Sequence, residues 1–243
     1  MSVEYSIVIP AYNEGTRLVP TLDRVLGFIR QQGWSAEVLV VNDGSRDDTA
    51  EVVRSYAERH PAVRLIENPG NRGKGFSVRH GVLKATGDWI LISDADFSTP
   101  IEEIATLRQK AADGFDLVIG SRALRPELVA VHQAWPRESA GKFFNLIMRT
   151  TTGLPFRDTQ CGFKLVRREP AQEIFERQKI GGFGFDVEVL YLARKLGYRA
   201  AEVPVRWANA PGSKVGMFSG LAAFADLARI RWWDVCGQYD QKS

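Results

Sequence analysis

Short apolar runs alternate with helical patterns along the first half of the chain, and this alternation constrains the fold more than any other feature. The runs have the length and content of buried strands, whereas the segments between them repeat apolar residues at helical spacing. Strands and helices that alternate through short connections form a parallel sheet covered on both faces. We therefore predict an α/β fold with a doubly wound, mainly parallel sheet. Its strands are expected at residues 5–10, 37–41, 63–67, 89–93 and 115–119. Helices are expected at residues 16–32 and 100–112, with one more beginning at residue 45 and another ending near residue 85.

The fourth apolar run ends in two aspartates, Asp94 and Asp96, which are separated by one residue. Thr99, Pro100 and Glu102 then carry the pattern of a capped helix start, with Thr99 as the N-cap. The carboxylates thus stand at the carboxyl end of a strand, where open α/β sheets bind ligands. They repel each other unless a cation lies between them, and Mg²⁺ or Mn²⁺ would suit them and substrate phosphates. A solvated turn before a helix is the alternative.

Three other predicted strands also end in polar residues, namely Glu14, Asp43 and Arg122. Parallel strands place these ends at one edge of the sheet, so we expect them to converge with the two aspartates. Lys74 stands between two glycines at a helix start and is placed to face a diphosphate, although the full phosphate-loop pattern is absent. Arg122 suits charge neutralisation beside phosphate and metal. For Asp43, simple turn chemistry is the alternative.

The composition is ordinary for a soluble globular protein, with 44% hydrophobic and 25% charged residues among 243. This length fits one large α/β domain. A net charge of +3 fits an anionic ligand or membrane surface without requiring either. Cys161 and Cys236 lie far apart without metal-type spacing, so we expect a reduced, intracellular protein. The chain enters its first strand without a signal peptide, and no apolar run approaches the roughly 18 residues of a membrane span, so it is not expected to cross a bilayer.

The second half of the chain is less regular. Residues 123–136 have no clear period and are expected to form a mobile loop beside the site. Residues 137–150 return to helical spacing, and their apolar stripe fits either core packing or an interfacial surface. Asp158 lies in a polar segment, while Asp186 and Glu188 open a helix. These acids are candidate bases on the acceptor side or ligands of a donor sugar, and helix capping is the alternative for Asp186.

The C-terminal region contains a last short strand at 202–205, a loop with Ser213 and Lys214, and a final helix. The helix places apolar residues on one face, beside Arg229, Arg231 and a tryptophan pair. Basic residues and tryptophans beside an apolar stripe favour a membrane interface, and packing on the domain is the alternative. The residues of this face are Met217, Leu221, Phe224, Ala225, Ala228 and Trp232.

Several segments are weak signals alone and specific in combination. Those of the first half are V-I-P-A-Y-N-E (8–14), V-N-D-G-S-R-D-D-T (41–49), N-R-G-K-G (71–75), D-A-D (94–96) and G-S-R (120–122). Together they resemble a family-2 glycosyltransferase of the GT-A fold. Those of the second half are R-D-T-Q-C-G-F-K (157–164), F-D-V-E (185–188), E-V-P-V-R-W (202–207) and G-S-K (212–214). They resemble the dolichyl-phosphate β-glucosyltransferase branch, and the likeness covers nearly the whole chain.

The resemblance implies an inverting transfer of a sugar from a nucleoside-diphosphate sugar, with UDP-glucose favoured, to a polyprenyl or dolichyl phosphate. The residues implied for the donor are Pro10, Tyr12, Glu14, Asp43, Lys74, Asp94 and Ala95. The metal, Mg²⁺ or Mn²⁺, would be held by Asp94 and Asp96. The residues implied in catalysis are Asp96, Arg122, Asp158 and Asp186. The acceptor phosphate would be received by Arg206, Ser213 and Lys214.

We expect residues 1–216 to form the GT-A domain and residues 217–243 an amphipathic helix and tail. Eukaryotic members of the branch carry a membrane anchor that is not visible here, so interfacial helices are expected to attach the protein to the cytoplasmic face of the membrane. A nucleic-acid partner is not expected. The alternatives are a soluble family-2 transferase acting on a sugar or protein hydroxyl, with Asp158 or Asp186 as base, a GDP-mannose-dependent polyprenyl-phosphate mannosyltransferase, or a nucleotide-sugar-binding module without turnover.

Overall fold

The structure of the protein, a computed structural model, describes residues 3–131, 148–208 and 217–240. All five strands predicted in the first half of the chain are present, although the fifth begins at Leu117 rather than at residue 115. The strands within the described residues are β1 (Tyr5–Ala11), β2 (Ala36–Asn42), β3 (Val63–Glu67), β4 (Trp89–Ile92), β5 (Leu117–Ser121), β6 (Val129–Val131), β7 (Lys164–Arg167), β8 (Ala200–Pro204) and β9 (Trp207–Ala208).

The helices follow the predicted apolar stripes. In α1 the stripe of leucines, valine and isoleucine that predicted the helix is buried, and Gly33 ends the helix with a left-handed φ of 65°. The helices within the described residues are α1 (Gly15–Gln32), α2 (Thr49–Arg59), α3 (Lys74–Lys84), α4 (Ile104–Ala112), α5 (Arg168–Arg177), α6 (Phe185–Lys195) and α7 (Met217–Val235).

The main sheet has seven strands in the order β3-β2-β1-β4-β7-β5-β8. Strand β1 pairs in parallel with β2 and with β4, and β5 pairs in parallel with β8. The predicted doubly wound, mainly parallel sheet is therefore confirmed. Strand β7 is the exception, because it lies antiparallel between β4 and β5. The carboxyl ends of β4 and β5 are thus separated by the amino end of β7, which begins at Lys164.

The core lies on both faces of this sheet. Alternate residues of β1 point to opposite sides, so Val8 belongs to one buried cluster and Ile7 and Ile9 to the other. The Ile7 cluster includes the buried residues of α1 and α4. The Val8 cluster includes residues of α3, α5, α6 and α7. Because both faces of the sheet are covered by apolar side chains, the ends of the strands are where polar groups can lie together.

Two helix starts differ from the prediction. Helix α2 begins at Thr49 rather than at Ser45, because the Ser45 hydroxyl accepts a hydrogen bond from the amide of Asn13 (2.9 Å) and so joins two loops. Helix α4 begins after a 3₁₀ turn at Ile101–Glu103. Pro100 precedes that turn with an extended ψ of 142°, so the predicted Thr99 cap does not form.

The prediction of a loop over 123–136 is wrong for its first part. A 3₁₀ turn at Pro126–Leu128 leads into β6, which pairs in parallel with β9 in a small second sheet. The amide of Ala208 in β9 also donates to the carbonyl of Ser98 (2.9 Å), so this sheet is joined to the turn after β4. Residues 132–136, most of the predicted helix at 137–150 and the loop at 209–216 lie outside the described residues.

Helix α7 packs on the domain through one face and exposes another. Leu227 and Ile230 are buried in the core, whereas the described members of the predicted apolar face, Ala225, Ala228 and Trp232, are exposed. Within the described part of the chain, no helix has both the length and the apolar character needed to cross a membrane. Cys161 and Cys236 are both free thiols.

Candidate active site

The carboxyl ends of β1, β2, β4 and β5 lie along one edge of the sheet, as predicted. Pro10 is the penultimate residue of β1, and Tyr12, Asn13 and Glu14 follow the strand. Asn13 has a positive φ of 54°, and its side chain accepts a hydrogen bond from the amide of Arg46 (2.7 Å). The loops after β1 and β2 are therefore bound to each other.

Glu14 is held at the start of α1. Its amide donates to the Thr49 hydroxyl (2.8 Å), and its carboxylate lies 3.0 Å from the Arg17 guanidinium. A role for Pro10, Tyr12 and Glu14 in binding the base and ribose remains a prediction, and their position at the sheet edge is compatible with it.

Asp43 shapes the loop that carries Lys74. The Asp43 side chain is buried, and its two oxygens accept hydrogen bonds from the amides of Arg72 and Gly73, each at 2.8 Å. The side-chain amide of Asn68 donates to it as well (2.8 Å). A carboxylate that receives backbone amides fixes the path of a loop. Asp43 therefore does more than form the turn after β2, because it also holds the loop before α3. A direct contact between Asp43 and a nucleotide stays a prediction.

Lys74 begins α3 in a seam where two glycine-rich segments meet backbone to backbone. A Cβ at Gly73 would lie 2.4 Å from the carbonyl oxygen of Gly181, and a Cβ at Gly75 would lie 2.3 Å from that of Ile180. Gly73 also has a φ of 95°, a value that residues other than glycine rarely adopt. This seam explains the glycines on both sides of Lys74.

The side chain of Lys74 is paired with the first aspartate after β4. Lys74 Nζ lies 2.6 Å from Asp94 Oδ1. Burial disfavours the charged lysine, but the nearby carboxylates of Asp94, Asp186 and Asp96 raise the pKa of Lys74 above its usual value. Burial would raise the pKa of Asp94, and Lys74 instead holds it below the usual value. Both groups are therefore charged at neutral pH.

The D-A-D turn is supported from two sides. Asp94 packs on Gly162, where a Cβ would lie 2.1 Å from Asp94 Oδ2. The Ala95 carbonyl accepts a hydrogen bond from the Thr21 hydroxyl of α1 (2.9 Å), and Asp96 Oδ1 accepts one from the amide of Ser98 (3.0 Å). Asp96 also lines a groove between α1 and Phe97. The turn is fixed by its backbone, and its carboxylates remain partly exposed.

The donor set of this turn suits a divalent cation that shares its ligands with a phosphate substrate. Among the residues that the structure describes, no group of three or more His, Cys, Asp or Glu side chains is arranged to hold a metal ion. Two carboxylates from Asp94 and Asp96 would leave further positions for diphosphate oxygens and water, as Mg²⁺ in phosphate-binding sites commonly requires. The residues therefore fit a metal bound together with its substrate better than one bound alone.

Arg122 follows β5 and forms a three-bond contact with Asp158. Arg122 Nε and its backbone amide donate to Asp158 Oδ2 (2.7 and 2.9 Å), and Arg122 Nη2 donates to Asp158 Oδ1 (2.7 Å). Burial opposes ionisation of Asp158, but Arg122 lowers its pKa below the usual value. The guanidinium also lies over the Trp207 ring, 5.4 Å from its centroid. Asp158 thus orients Arg122. Because this contact engages both oxygens of Asp158, it disfavours the predicted role of Asp158 as a base.

A buried ion pair between Lys164 and Asp186 lies behind these groups. Lys164 Nζ donates to Asp186 Oδ1 and to the carbonyl of Cys161, and the two side chains are 1% and 4% exposed. Asp186 therefore neither caps α6, whose N-cap is Gly184, nor reaches solvent as a base. Lys164 was missed by sequence reasoning. Its signal was a lysine at the start of an apolar strand, since such a lysine requires an acidic partner.

Glu188 of the F-D-V-E segment is a structural residue. The Glu188 side chain is fully buried and accepts hydrogen bonds from the amides of Lys179 (3.0 Å) and Ile180 (2.8 Å) and from the Tyr239 hydroxyl (2.7 Å). Those amides immediately precede Gly181 of the seam. Tyr239 was also missed, because nothing in its local sequence marks it as buried.

Arg206 lies next to Trp207 and pairs with the Glu103 carboxylate. Its side chain is 59% exposed, so it remains accessible to a ligand. The two other predicted acceptor residues, Ser213 and Lys214, lie outside the described residues.

Comparison with known proteins identifies the family of this chain. The model of the family described as Glycosyl transferase family 2 matches residues 6–175. This chain therefore belongs to glycosyltransferase family 2. It is 37% identical over 258 residues to the dolichyl-phosphate beta-glucosyltransferase of Dictyostelium discoideum, covering 100% of this chain and 78% of that protein. It is 38% identical to the protein of that name from Drosophila melanogaster (94% and 74% covered) and 35% identical to that from Homo sapiens (94% and 75% covered).

Solved structures show the same GT-A fold. Mannosyl-3-phosphoglycerate synthase from Rubrobacter xylanophilus superposes with a TM-score of 0.71 at 18% identity, covering 98% of this chain and 76% of that one. Glucosyl-3-phosphoglycerate synthase from Mycobacterium tuberculosis, in complex with Mn²⁺, UDP-glucose and phosphoglyceric acid, superposes with a TM-score of 0.68 at 18% identity (94% and 79%). The mannosyltransferase PcManGT from Pyrobaculum calidifontis, in complex with GDP-Man and Mn²⁺, gives 0.57 at 25% identity (88% and 59%).

Proposed function

We propose that this protein transfers glucose from UDP-glucose to dolichyl phosphate or a related polyprenyl phosphate. The observation that carries the proposal is the 35 to 38% identity to three dolichyl-phosphate beta-glucosyltransferases, which extends over 94% or more of the chain. Because that similarity includes both halves, it covers the donor edge of the sheet and the segments from Asp158 to Arg206.

The charges at the sheet edge support a diphosphate donor. Asp94 and Asp96 would hold Mg²⁺ or Mn²⁺, and relatives of this fold carry Mn²⁺ with a nucleotide sugar. When bound, the cation would neutralise the charge that develops on the departing diphosphate. Lys74 and Arg122 are positive charges near the same carboxylate, and they would stabilise that leaving group further. Displacement by the acceptor from the opposite face inverts the anomeric carbon.

The ion pairs of the site favour a phosphate as the acceptor. A sugar hydroxyl needs a base, and both candidates are already engaged, Asp158 with Arg122 and Asp186 with Lys164. A phosphate monoester has a second pKa near 6, so it is largely ionised at pH 7 and needs no base. Arg206, with Ser213 and Lys214, would position it, and Arg206 is accessible for this role once it leaves Glu103.

A lipid acceptor requires the protein to meet a membrane. The exposed face of α7 supports a peripheral attachment, since Trp232 is 66% and Val235 77% exposed, next to the exposed Arg229 and Arg231. Trp233 has a different role, because it packs against the core and lies edge-on to Tyr239 with ring centroids 6.2 Å apart. Of these two tryptophans, Trp232 is therefore the suitable probe of attachment to the cytoplasmic leaflet.

A panel of labelled donors and acceptors tests the proposal. Purified protein is incubated with UDP-glucose, UDP-galactose or GDP-mannose, with dolichyl phosphate in detergent and with Mg²⁺, Mn²⁺ or EDTA. Organic extraction should recover label from UDP-glucose alone, only with metal, and not with the Asp96→Asn variant. Lipid label from GDP-mannose would favour the mannosyltransferase alternative. Metal-dependent hydrolysis of UDP-glucose without lipid product would favour a hydroxyl acceptor, and no turnover at all would favour a binding module.

A further inference from the structure

Lys74 occupies the place of a cation beside a carboxylate that is proposed to bind metal. Lys74 Nζ lies 2.6 Å from Asp94 Oδ1, and its side chain is 20% exposed. An ammonium at this distance satisfies the carboxylate by charge and by a hydrogen bond. A divalent cation at the same Asp94 oxygen would lie close to this ammonium group, and the two positive charges would repel each other.

The backbone at Lys74 is tightly packed and held by a hydrogen bond. Gly73 and Gly75 on either side of it pack on the carbonyls of Gly181 and Ile180, at distances that exclude a Cβ. Asp43 holds the amide of Gly73 from the other side (2.8 Å). We therefore expect the ammonium group to change partners by rotation of the lysine side chain.

A metal that binds alone and a metal that binds with a donor have different consequences for the charge of Lys74. A cation that displaces Lys74 from Asp94 leaves two positive charges close together, which is unfavourable. A cation that arrives with a diphosphate brings a new anionic partner for the lysine. The diphosphate should therefore favour metal binding by an amount that depends on Lys74.

We propose that Lys74 is an exchangeable counter-ion of Asp94, which leaves the carboxylate for the donor diphosphate when the metal binds. This couples the two ligands, so that the site takes up metal readily only together with a diphosphate. The inference rests on the proposed function, because it requires a divalent cation and a diphosphate donor at this turn. It adds a role for Lys74 in the binding of metal and donor, before the sugar is transferred.

The test is the affinity for Mn²⁺, measured by electron paramagnetic resonance with and without UDP. Lys74→Met should bind Mn²⁺ without UDP about 5- to 150-fold more tightly than the wild type. UDP should tighten Mn²⁺ binding strongly in the wild type and much less in Lys74→Met. Lys84→Met removes the same charge from an exposed site at the other end of α3 and should behave like the wild type. Lys74→Arg keeps the charge and should keep weak binding in the absence of UDP.

Equal Mn²⁺ affinities for Lys74→Met and Lys84→Met without UDP would overturn the proposal. An unchanged effect of UDP in Lys74→Met would overturn it as well. If Lys74→Met does not fold, tight Mn²⁺ binding by Lys74→Arg without UDP would decide against it. A wild type that binds Mn²⁺ neither alone nor with UDP would instead remove the metal from the proposed function, and the exchange with it.

Discussion

The charged groups from the first half of the chain are paired differently from those of the second half. Lys74 and Asp94 are 20% and 35% exposed and form a single contact, so substrate can replace either partner. Lys164 and Asp186 are 1% and 4% exposed, and solvent or substrate cannot reach them. From this difference we expect the parallel strand ends to supply the groups that act on ligands. The antiparallel strand β7 and helix α6 supply a charged frame that holds them.

The largest expected effect is on the frame. Lys164→Met should reduce the free energy of unfolding by about 3–5 kcal/mol, because it leaves the buried charge of Asp186 without its partner. The double variant Lys164→Met with Asp186→Leu should recover much of this loss, since it removes both charges. Urea unfolding measures both, with Lys84→Met as an exposed control. A single variant as stable as that control would show that the pair is not structural.

The next largest effect is on the ligand-binding turn. Asp94→Asn and Asp96→Asn should each reduce transfer by about a hundredfold or more while shifting the unfolding temperature little, because both side chains are partly exposed. Initial rates with saturating UDP-glucose and circular dichroism melts measure the two quantities. Normal activity with an unchanged metal requirement in either variant would remove that aspartate from the site.

Arg206 tests whether an exposed ion pair can exchange its partner. Arg206→Ala should raise the KM for dolichyl phosphate by about ten- to a hundredfold, since a hydrogen bond to a charged group is lost. The KM for UDP-glucose should change little. Glu103→Gln should leave the acceptor KM near normal or lower it, because it releases the arginine from its present contact. A donor-only effect of Arg206→Ala would place this residue on the other side of the reaction.

Acid should remove the stabilisation that the ion pair between Asp158 and Arg122 provides. The folded pKa of Asp158 lies below its unfolded value of about 3.9, so its contribution to stability is complete above that pH and is lost as the pH falls through the folded pKa. Asp158→Asn should therefore flatten the fall of unfolding free energy below about pH 4. Asp113→Asn, at a half-exposed surface pair, serves as the control. Parallel curves for the wild type and Asp158→Asn would contradict the assignment.

The smallest expected effect concerns the exposed face of α7. Trp232→Ser should lower flotation with anionic liposomes at low salt without changing the unfolding temperature, because the ring is 66% exposed. Trp233→Ser should lower the unfolding temperature instead, since that ring packs on the core. High salt should weaken flotation of the wild type, as each nearby basic residue contributes about 1 kcal/mol of screened attraction. A wild type that never floats would oppose the peripheral attachment.

The sequence predicted the first half well because its information is local. Each strand of that half is a short apolar run, and Asp43, Asp94 and Arg122 lie within two residues of the ends of their strands, so topology alone brings them to one edge. The family resemblance added the donor and the acceptor. Helix starts were less predictable, since Ser45 makes its hydrogen bond to a residue in another loop.

The second half was harder to predict because its decisive contacts are distant in the chain. The antiparallel insertion of β7 between β4 and β5 leaves no local pattern, and it brings Lys164 to Asp186. Arg122 reaches Asp158 across a segment with no clear period. Asp158 and Asp186, which looked like acids available for catalysis, are therefore partners of the cations Arg122 and Lys164, and a linear pattern does not reveal such pairs.

The hydrogen bond between Tyr239 and Glu188 has a consequence for truncation. A chain shortened before residue 239 would lose the phenol that donates to a fully buried carboxylate, whose pKa burial already raises. That carboxylate also anchors the amides of Lys179 and Ile180, and Ile180 packs on Gly75 beside Lys74. Trimming the tail would thus act on the loop that carries Lys74, through Glu188 and Ile180. A shortened protein with weak activity would report a displaced lysine rather than a missing substrate contact.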